Sequence, residues 1–321
     1  MNAARYRFAV WGWLILWVAV GIGCGNGAAD RPQREATETA NATVGKCERI
    51  VSLAPSITEI LISLELGSSV VGVTRYCERP HSQVAVIGGY SDPSYERILS
   101  LKPDLVAMLD LHARQKQDLD KLHLNTIELR SDNITDIQRA IQSLANRCDV
   151  GERGKKIVTR MQQEIATIRK RWAGSVRSRV LVSVGRSMGT GSVQDIFVAG
   201  KRTWLNDLID IAGGVNAMED SSVQYPKLSA EGVMQINPDV IVELIPIDDS
   251  TTVSDDRILS QWQIASEVEA VKNHRIHVLR HKNIAQPGPG VVDLARMMSQ
   301  LIHDEAVTSV AGQSTRDTES R

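Results

Sequence analysis

Short apolar runs and amphipathic stretches alternate along this chain, and the alternation is interrupted once, near the middle. Residues 49–54 (RIVSLA) form an apolar run that ends at Pro55, which predicts a buried strand. Beyond it, Ile57, Ile60, Leu61 and Leu64 recur at the spacing of one helix face. Ser56 is placed to cap that helix, Glu59 to complete a capping box, and Gly67 to stop it. Val70–Val73 and Leu105–Met108 predict two more strands. A helix is expected over 116–124, a strand over Thr126–Leu129 and a helix over 134–147. Strands alternating with helices imply a mostly parallel sheet with helices packed on it.

From Gly151 to Ala173 the rhythm changes. Ile157, Met161, Ile165, Ile168 and Trp172 mark one stripe, and the residues between are rich in Lys, Arg, Glu and Gln. This predicts a single amphipathic helix of roughly 20 residues, about 30 Å long, suited to a strut. Alternation then resumes. Strands are expected at Arg179–Val184, Val240–Leu244 and Arg275–Leu279, and helices at Thr203–Ala212 and Val291–His303. The fold class read from these patterns is α/β: two lobes with mostly parallel sheets joined by one long helix.

The halves repeat. Glu96 precedes Pro103-Asp104 and an apolar strand; Glu231 stands at the same distance before Pro238-Asp239 and another. Each unit reads as a helix opened by an acid, a Pro turn and a buried strand. An acid there favours the positive end of the helix. The domain boundaries that follow are an N-terminal lobe over 47–150, the connecting helix over 151–174 and a C-terminal lobe over 175–304.

The ends differ from the lobes. Arg5 and Arg7 precede the uncharged run FAVWGWLILWVAVGI, and Gly23-Cys24 follows. This is a signal-peptide layout over 1–23, and a Cys at the cut points to lipidation of Cys24. Gly21 stands where a lipobox usually has an aliphatic residue. The competing reading is an uncleaved membrane anchor, since residues 8–29 approach the ~20 residues that a span needs. Either reading exports the rest. Residues 24–46 are small and polar and read as a tether; 305–321 read as a disordered tail. Formal net charge is −1, with no basic stripe, so no nucleic-acid partner is expected. Besides Cys24 there are Cys47, Cys77 and Cys148. Export permits one disulfide among them, and the spacing does not select the pair.

With these motifs together, the chain resembles the helical-backbone (class III) substrate-binding proteins of ABC importers, especially their cobalamin-binding branch. The resemblance rests on RIVSLAPSITEIL (49–61), VVGVTRYCERP (70–80), GGYSDPSYERILSLKPDLV (88–106), IFVAGKRTWLNDLIDIAGG (196–214), YPKLSAEGVMQINPDVIVEL (225–244) and the PGPG-led last helix. It implies a ligand held in the cleft between the lobes, a small closure motion, no catalysis, and docking of a monomer on a membrane permease dimer. It also assigns permease docking to Glu96 and Glu231, one acid per lobe. Such a pair gives a two-point electrostatic register on a two-fold partner.

Only 4% of residues are aromatic, so their positions carry information. Trp172 belongs to the long-helix stripe. Trp204 opens an amphipathic helix and reads as packing, and Tyr95 as a staple; Trp262 is ambiguous. Tyr76, Tyr90, Phe197 and Tyr225 lie in or beside loops after expected strands, where open α/β sheets hold ligands. They point to a flat, largely apolar ligand. The resemblance carries the same four onto aromatic cleft positions of cobalamin binders, with Leu109 in place of a further aromatic. Arg75 and Arg186 are candidates to meet ligand carboxylates, against the alternative of structural salt bridges. The expected ligand is cobalamin or a related corrinoid, with a ferric siderophore or haem as the alternative. A sensor without a transporter is the other functional class. His274 and His277 fall on opposite faces of an expected strand, and no metal site or cofactor is expected. No nucleophile elbow, phosphate loop or H-E-x-x-H motif occurs, so the chain does not read as an enzyme.

Overall fold

A computed structural model describes residues 47–110, 113–186, 195–246, 253–281, 284 and 286–303. The expected leader, Cys24, tether and C-terminal tail lie outside the described residues. Among the described residues, no helix is long and apolar enough to cross a membrane.

The N-terminal lobe runs β1 (Ile50–Ser52), α1 (Pro55–Ser63), β2 (Val70–Val73), β3 (Ala85–Val86), α2 (Tyr95–Ser100), β4 (Leu105–Leu109), α3 (Ala113–Lys121), β5 (Thr126–Leu129) and α4 (Ile134–Arg147). Its five strands pair in parallel, in the order β3-β2-β1-β4-β5. The fully buried runs of β1 and β4 are what a sheet covered on both faces requires. One expectation at α1 fails. The helix starts at Pro55, its N-cap is Ala54, and no side chain caps it. Proline at the first helical position adds no orphan N–H of its own and already has a helical φ. Ser56 therefore falls inside the helix, and Glu59 turns elsewhere.

Cys47 and Cys148 form a disulfide with Cα atoms 5.1 Å apart and 101 residues of separation. It ties the entry of β1 to the end of α4. Cys77 is free and buried. The connecting helix α5 (Gly151–Arg171) buries Met161, Ile165 and Ile168. Gly154 allows α5 to approach α4, because a Cβ there would meet the Ala145 Cβ at 2.5 Å.

The C-terminal lobe runs β6 (Arg179–Gly185), β7 (Ile196–Val198), α6 (Trp204–Ile211), β8 (Val215–Asn216), β9 (Lys227–Leu228), α7 (Ala230–Ile236), β10 (Val240–Pro246), α8 (Asp255–Gln261), α9 (Glu269–Lys272), β11 (Ile276–His281) and α10 (Val291–Ile302). The sheet order is β11-β10-β6-β7-β9, with β8 beside β6. β11, β10, β6 and β8 are parallel. β7 and β9 run antiparallel at one edge, an addition the sequence pattern did not suggest.

The repeat has a shared hydrogen-bond basis. Asp104 accepts from the backbone N–H groups of Glu48 and Arg49 at 2.7 and 3.0 Å. Asp239 accepts from the Arg179 N–H at 2.7 Å. The Arg49 guanidinium donates to the Leu101 and Lys102 carbonyls, and that of Arg179 to the Ile236 and Asn237 carbonyls. Lys102 and Asn237, each just before the proline, share a left-handed φ of 45°. In both lobes, then, an aspartate and an arginine clamp the helix–Pro-Asp turn onto the start of the strand beside it.

Candidate functional site: an aromatic cleft between the lobes

A cavity of about 550 Å³ opens between the lobes. Four helix N-termini meet around it. Pro55 and Ser56 open α1, Ser131 and Asp132 lead into α4, Thr203 and Trp204 open α6, and Gln286 and Pro287 lead into α10. These ends follow strands of the two sheets, the location at which α/β sheets present their loops to ligands.

Aromatic side chains wall the cavity from both sides. Tyr76 and Tyr90 come from the N-terminal lobe, together with Leu109; Trp204 and Tyr225 come from the C-terminal lobe. Tyr76 is 71% exposed, so its ring stands at the mouth. The backbone of Tyr90 is held by Gln115, whose amide donates to the Tyr90 carbonyl at 3.0 Å. Burial, and secondarily the Asp110 charge, raise the Tyr90 phenol pKa. Burial likewise raises that of Tyr225, helped by the Asp132 charge and opposed by a hydrogen bond from Trp204. Both phenols therefore stay neutral at physiological pH and offer hydroxyl donors on apolar rings. Asp132 is paired with Arg130 at 2.8 Å. Arg202 brings a cation to the C-terminal wall, where it also donates to the Ser222 carbonyl.

Three sequence-predicted ligand candidates lie elsewhere. Arg186 is 1% exposed and pairs with the equally buried Glu243 at 2.8 Å. Glu243 also accepts from the Trp262 indole N–H at 2.8 Å, and Arg186 donates to Gln261. The structural salt-bridge reading therefore replaces ligand contact for Arg186. Phe197 is 44% exposed at the centre of β7, between buried Ile196 and Val198. Strand alternation turns it to the face opposite those neighbours, and it does not line the cavity. Arg75 is exposed beside Asp92, 3.8 Å away, and is also absent from the lining.

Trp204, read from the sequence as packing, also lines the cavity. Thr203 caps α6 by accepting from the Asn206 N–H, and this sets Trp204 at the first helical position. Its ring is 5% exposed, packed on the core and also facing the cavity. A tryptophan at the first turn of a helix after a strand end was the available signal.

Glu96 and Glu231 occupy matching places. Ser94 caps α2 and Ser229 caps α7, and each glutamate sits exposed in the first turn that follows. For Glu231, backbone and Ser229 hydrogen bonds hold the carboxyl pKa below its usual value, so it is ionised at physiological pH. Among the described residues, no group of three or more His, Cys, Asp or Glu side chains is placed to hold a metal ion.

Known proteins resemble this chain in sequence and fold. The vitamin B12-binding protein of Vibrio cholerae serotype O1 is 26% identical over 250 residues, covering 77% of this chain and 86% of the relative. The uncharacterised ABC transporter substrate-binding lipoprotein YvrC of Bacillus subtilis is 24% identical, covering 94% and 98%. The solved periplasmic heme-binding protein RhuT from Roseiflexus sp. RS-1 superposes with a TM-score of 0.68 at 26% identity, over 81% of this chain and 99% of that one. A family model described as periplasmic binding protein matches residues 50–282, which is most of the chain and both lobes. The chain belongs to the periplasmic binding protein family.

Proposed function

We propose that this protein captures cobalamin or a related corrinoid in the interlobe cleft and delivers it to an ABC permease. The carrying observation is the pair of aromatic walls, Tyr76 and Tyr90 facing Trp204 and Tyr225 across one cavity. Aromatic and aliphatic walls suit a large, flat ligand, and the few polar groups fix its orientation. The vitamin B12-binding relative supports this ligand class. Haem is the second reading. It is favoured by the likeness to a heme-binding protein and by Arg202 on the wall, a partner for the two carboxylates of haem, where cobalamin offers one phosphodiester among neutral amides.

In this reading Glu96 and Glu231 dock on basic groups of the permease, one per lobe. The Cys24 thiol carries the lipid that keeps the receptor at the membrane, as the lipoprotein relative supports. Calorimetric titration of the purified protein with cyanocobalamin, and separately with haemin, tests the ligand. Sub-micromolar one-site binding of cyanocobalamin is expected, weakened at least tenfold by Tyr90→Ala or Trp204→Ala. Tight haemin binding with no cyanocobalamin heat from folded protein would replace the corrinoid reading with the haem one.

A further inference from the structure

Glu59 and Asp207 occupy related places on the two lobes. Glu59 lies on α1 and Asp207 on α6, each one turn beyond the helix start that borders the cavity. Neither acts within its own lobe alone. Glu59 Oε1 accepts from the Gly290 N–H at the start of α10, at 2.7 Å. Asp207 Oδ2 accepts from the Ile134 N–H at the start of α4, at 2.9 Å. Each carboxylate thus reaches the first backbone donors of a helix in the opposite lobe, where the helix dipole favours an anion.

The receiving ends are shaped for this. α10 has glycine at its N-cap and no side-chain cap of its own. At α4 the Asn133 side chain accepts from the Asp136 N–H, which leaves the Ile134 N–H for the other lobe. Gly288 clears the approach: a Cβ there would meet Glu59 Oε2 at 2.4 Å. The PGPG segment is therefore glycine-bearing where it passes the acid from the other lobe.

We propose that Glu59 and Asp207 form a reciprocal lock between the lobes that fixes the spacing of the cavity walls. Ser56 and Trp204 precede the two acids on the same helices, and Asp132 and Gln286 lead into the two capped helices. A shift at either cap moves a cavity wall. The two carboxylates are positioning residues for the cleft, whatever ligand it takes.

The test uses ligand-free full-length protein, so it is independent of the corrinoid reading. Ketone-bearing residues introduced at the exposed positions Ser100 and Gln235, one per lobe, accept spin labels without involving cysteine. Pulsed dipolar spectroscopy then reads the interlobe distance distribution. Glu59→Ala with Asp207→Ala is expected to widen it at least twofold. Glu59→Gln with Asp207→Asn keeps an acceptor at each site and should restore the parent width. An unchanged width in the folded double-alanine protein overturns the lock, even if its melting temperature falls. Should that protein not fold, the single alanine variants decide it: widening is expected in each, and parent width in both overturns the lock.

Discussion

The two lobes use the same turn at the start of their sheets and then diverge four residues later. Asp104 and Asp239 close equivalent turns. Counting on from each, Met108 and Glu243 fall at the same place in their strands. Met108 is 1% exposed and packs among Val51, Leu53, Ile87, Ile98 and Leu119. Glu243 is equally buried but carries a charge, held by Arg186 and the Trp262 indole. One lobe fills the position with hydrocarbon and the other with an ion pair. The first is secured by packing; the second depends on every partner being present, because a buried charge without one is costly.

The largest effect expected follows from that contrast. Glu243→Met should destabilise the protein by about 4 kcal/mol, since it strands the Arg186 guanidinium in the core. Adding Arg186→Met should recover most of the loss, because a buried pair replaced by apolar residues of similar size is often neutral. Urea unfolding midpoints of the single and double variants measure both. If the double variant is as unstable as the single, the pair does more than satisfy itself, and the C-terminal lobe needs its charge.

This difference also marks where the sequence stops being legible. Alternation and the 151–173 stripe make both lobes and the connecting helix readable, because burial on sheet and helix faces repeats at fixed periods. Loops after strand ends led to Tyr76, Tyr90 and Tyr225. For Arg186 the sequence leaves ligand contact and a structural salt bridge both open, because an arginine just past a strand end looks the same whether it faces a cleft or a glutamate on the neighbouring strand. Phe197, expected at the cleft, falls outside the cavity lining, on an antiparallel β7–β9 edge only two or three residues wide and too short for periodicity. The capping box at Ser56 failed because Pro55 started the helix one residue earlier. The Cys47–Cys148 pair depended on spatial proximity that no spacing rule supplies.

A smaller effect sharpens the comparison at the shared turns. Asp104 accepts two backbone N–H groups and Asp239 one from the strand beside it. At about 1 kcal/mol net for each hydrogen bond, Asp104→Ala should cost about 2 kcal/mol and Asp239→Ala about 1 kcal/mol. Thermal unfolding of the two variants checks the order. Equal losses would mean that the carboxylates act through their charge rather than through the number of amides they hold.

The smallest effect concerns pH and separates stability from positioning within the lock. Burial raises the Asp207 carboxyl pKa above its usual value. Asp210 adds to the rise, while the Ile134 N–H, Asn206 and Arg169 oppose it. A carboxyl with a raised native pKa holds its proton more tightly folded than unfolded. Its stabilising contribution is complete below the unfolded pKa and is lost as pH rises through the raised native value. Asp207→Asn cannot ionise but retains an oxygen for the Ile134 N–H. Relative to the parent, the variant should therefore gain stability as pH rises through that window and hold the gain at neutral pH. Urea midpoints of the two proteins between about pH 3 and 7 measure this. Asp207→Ala, which loses the acceptor, should not show the neutral-pH gain. A parent stability that rises relative to Asp207→Asn over the same window would reverse the sign and make the ionised carboxylate a net stabiliser of the interlobe contact.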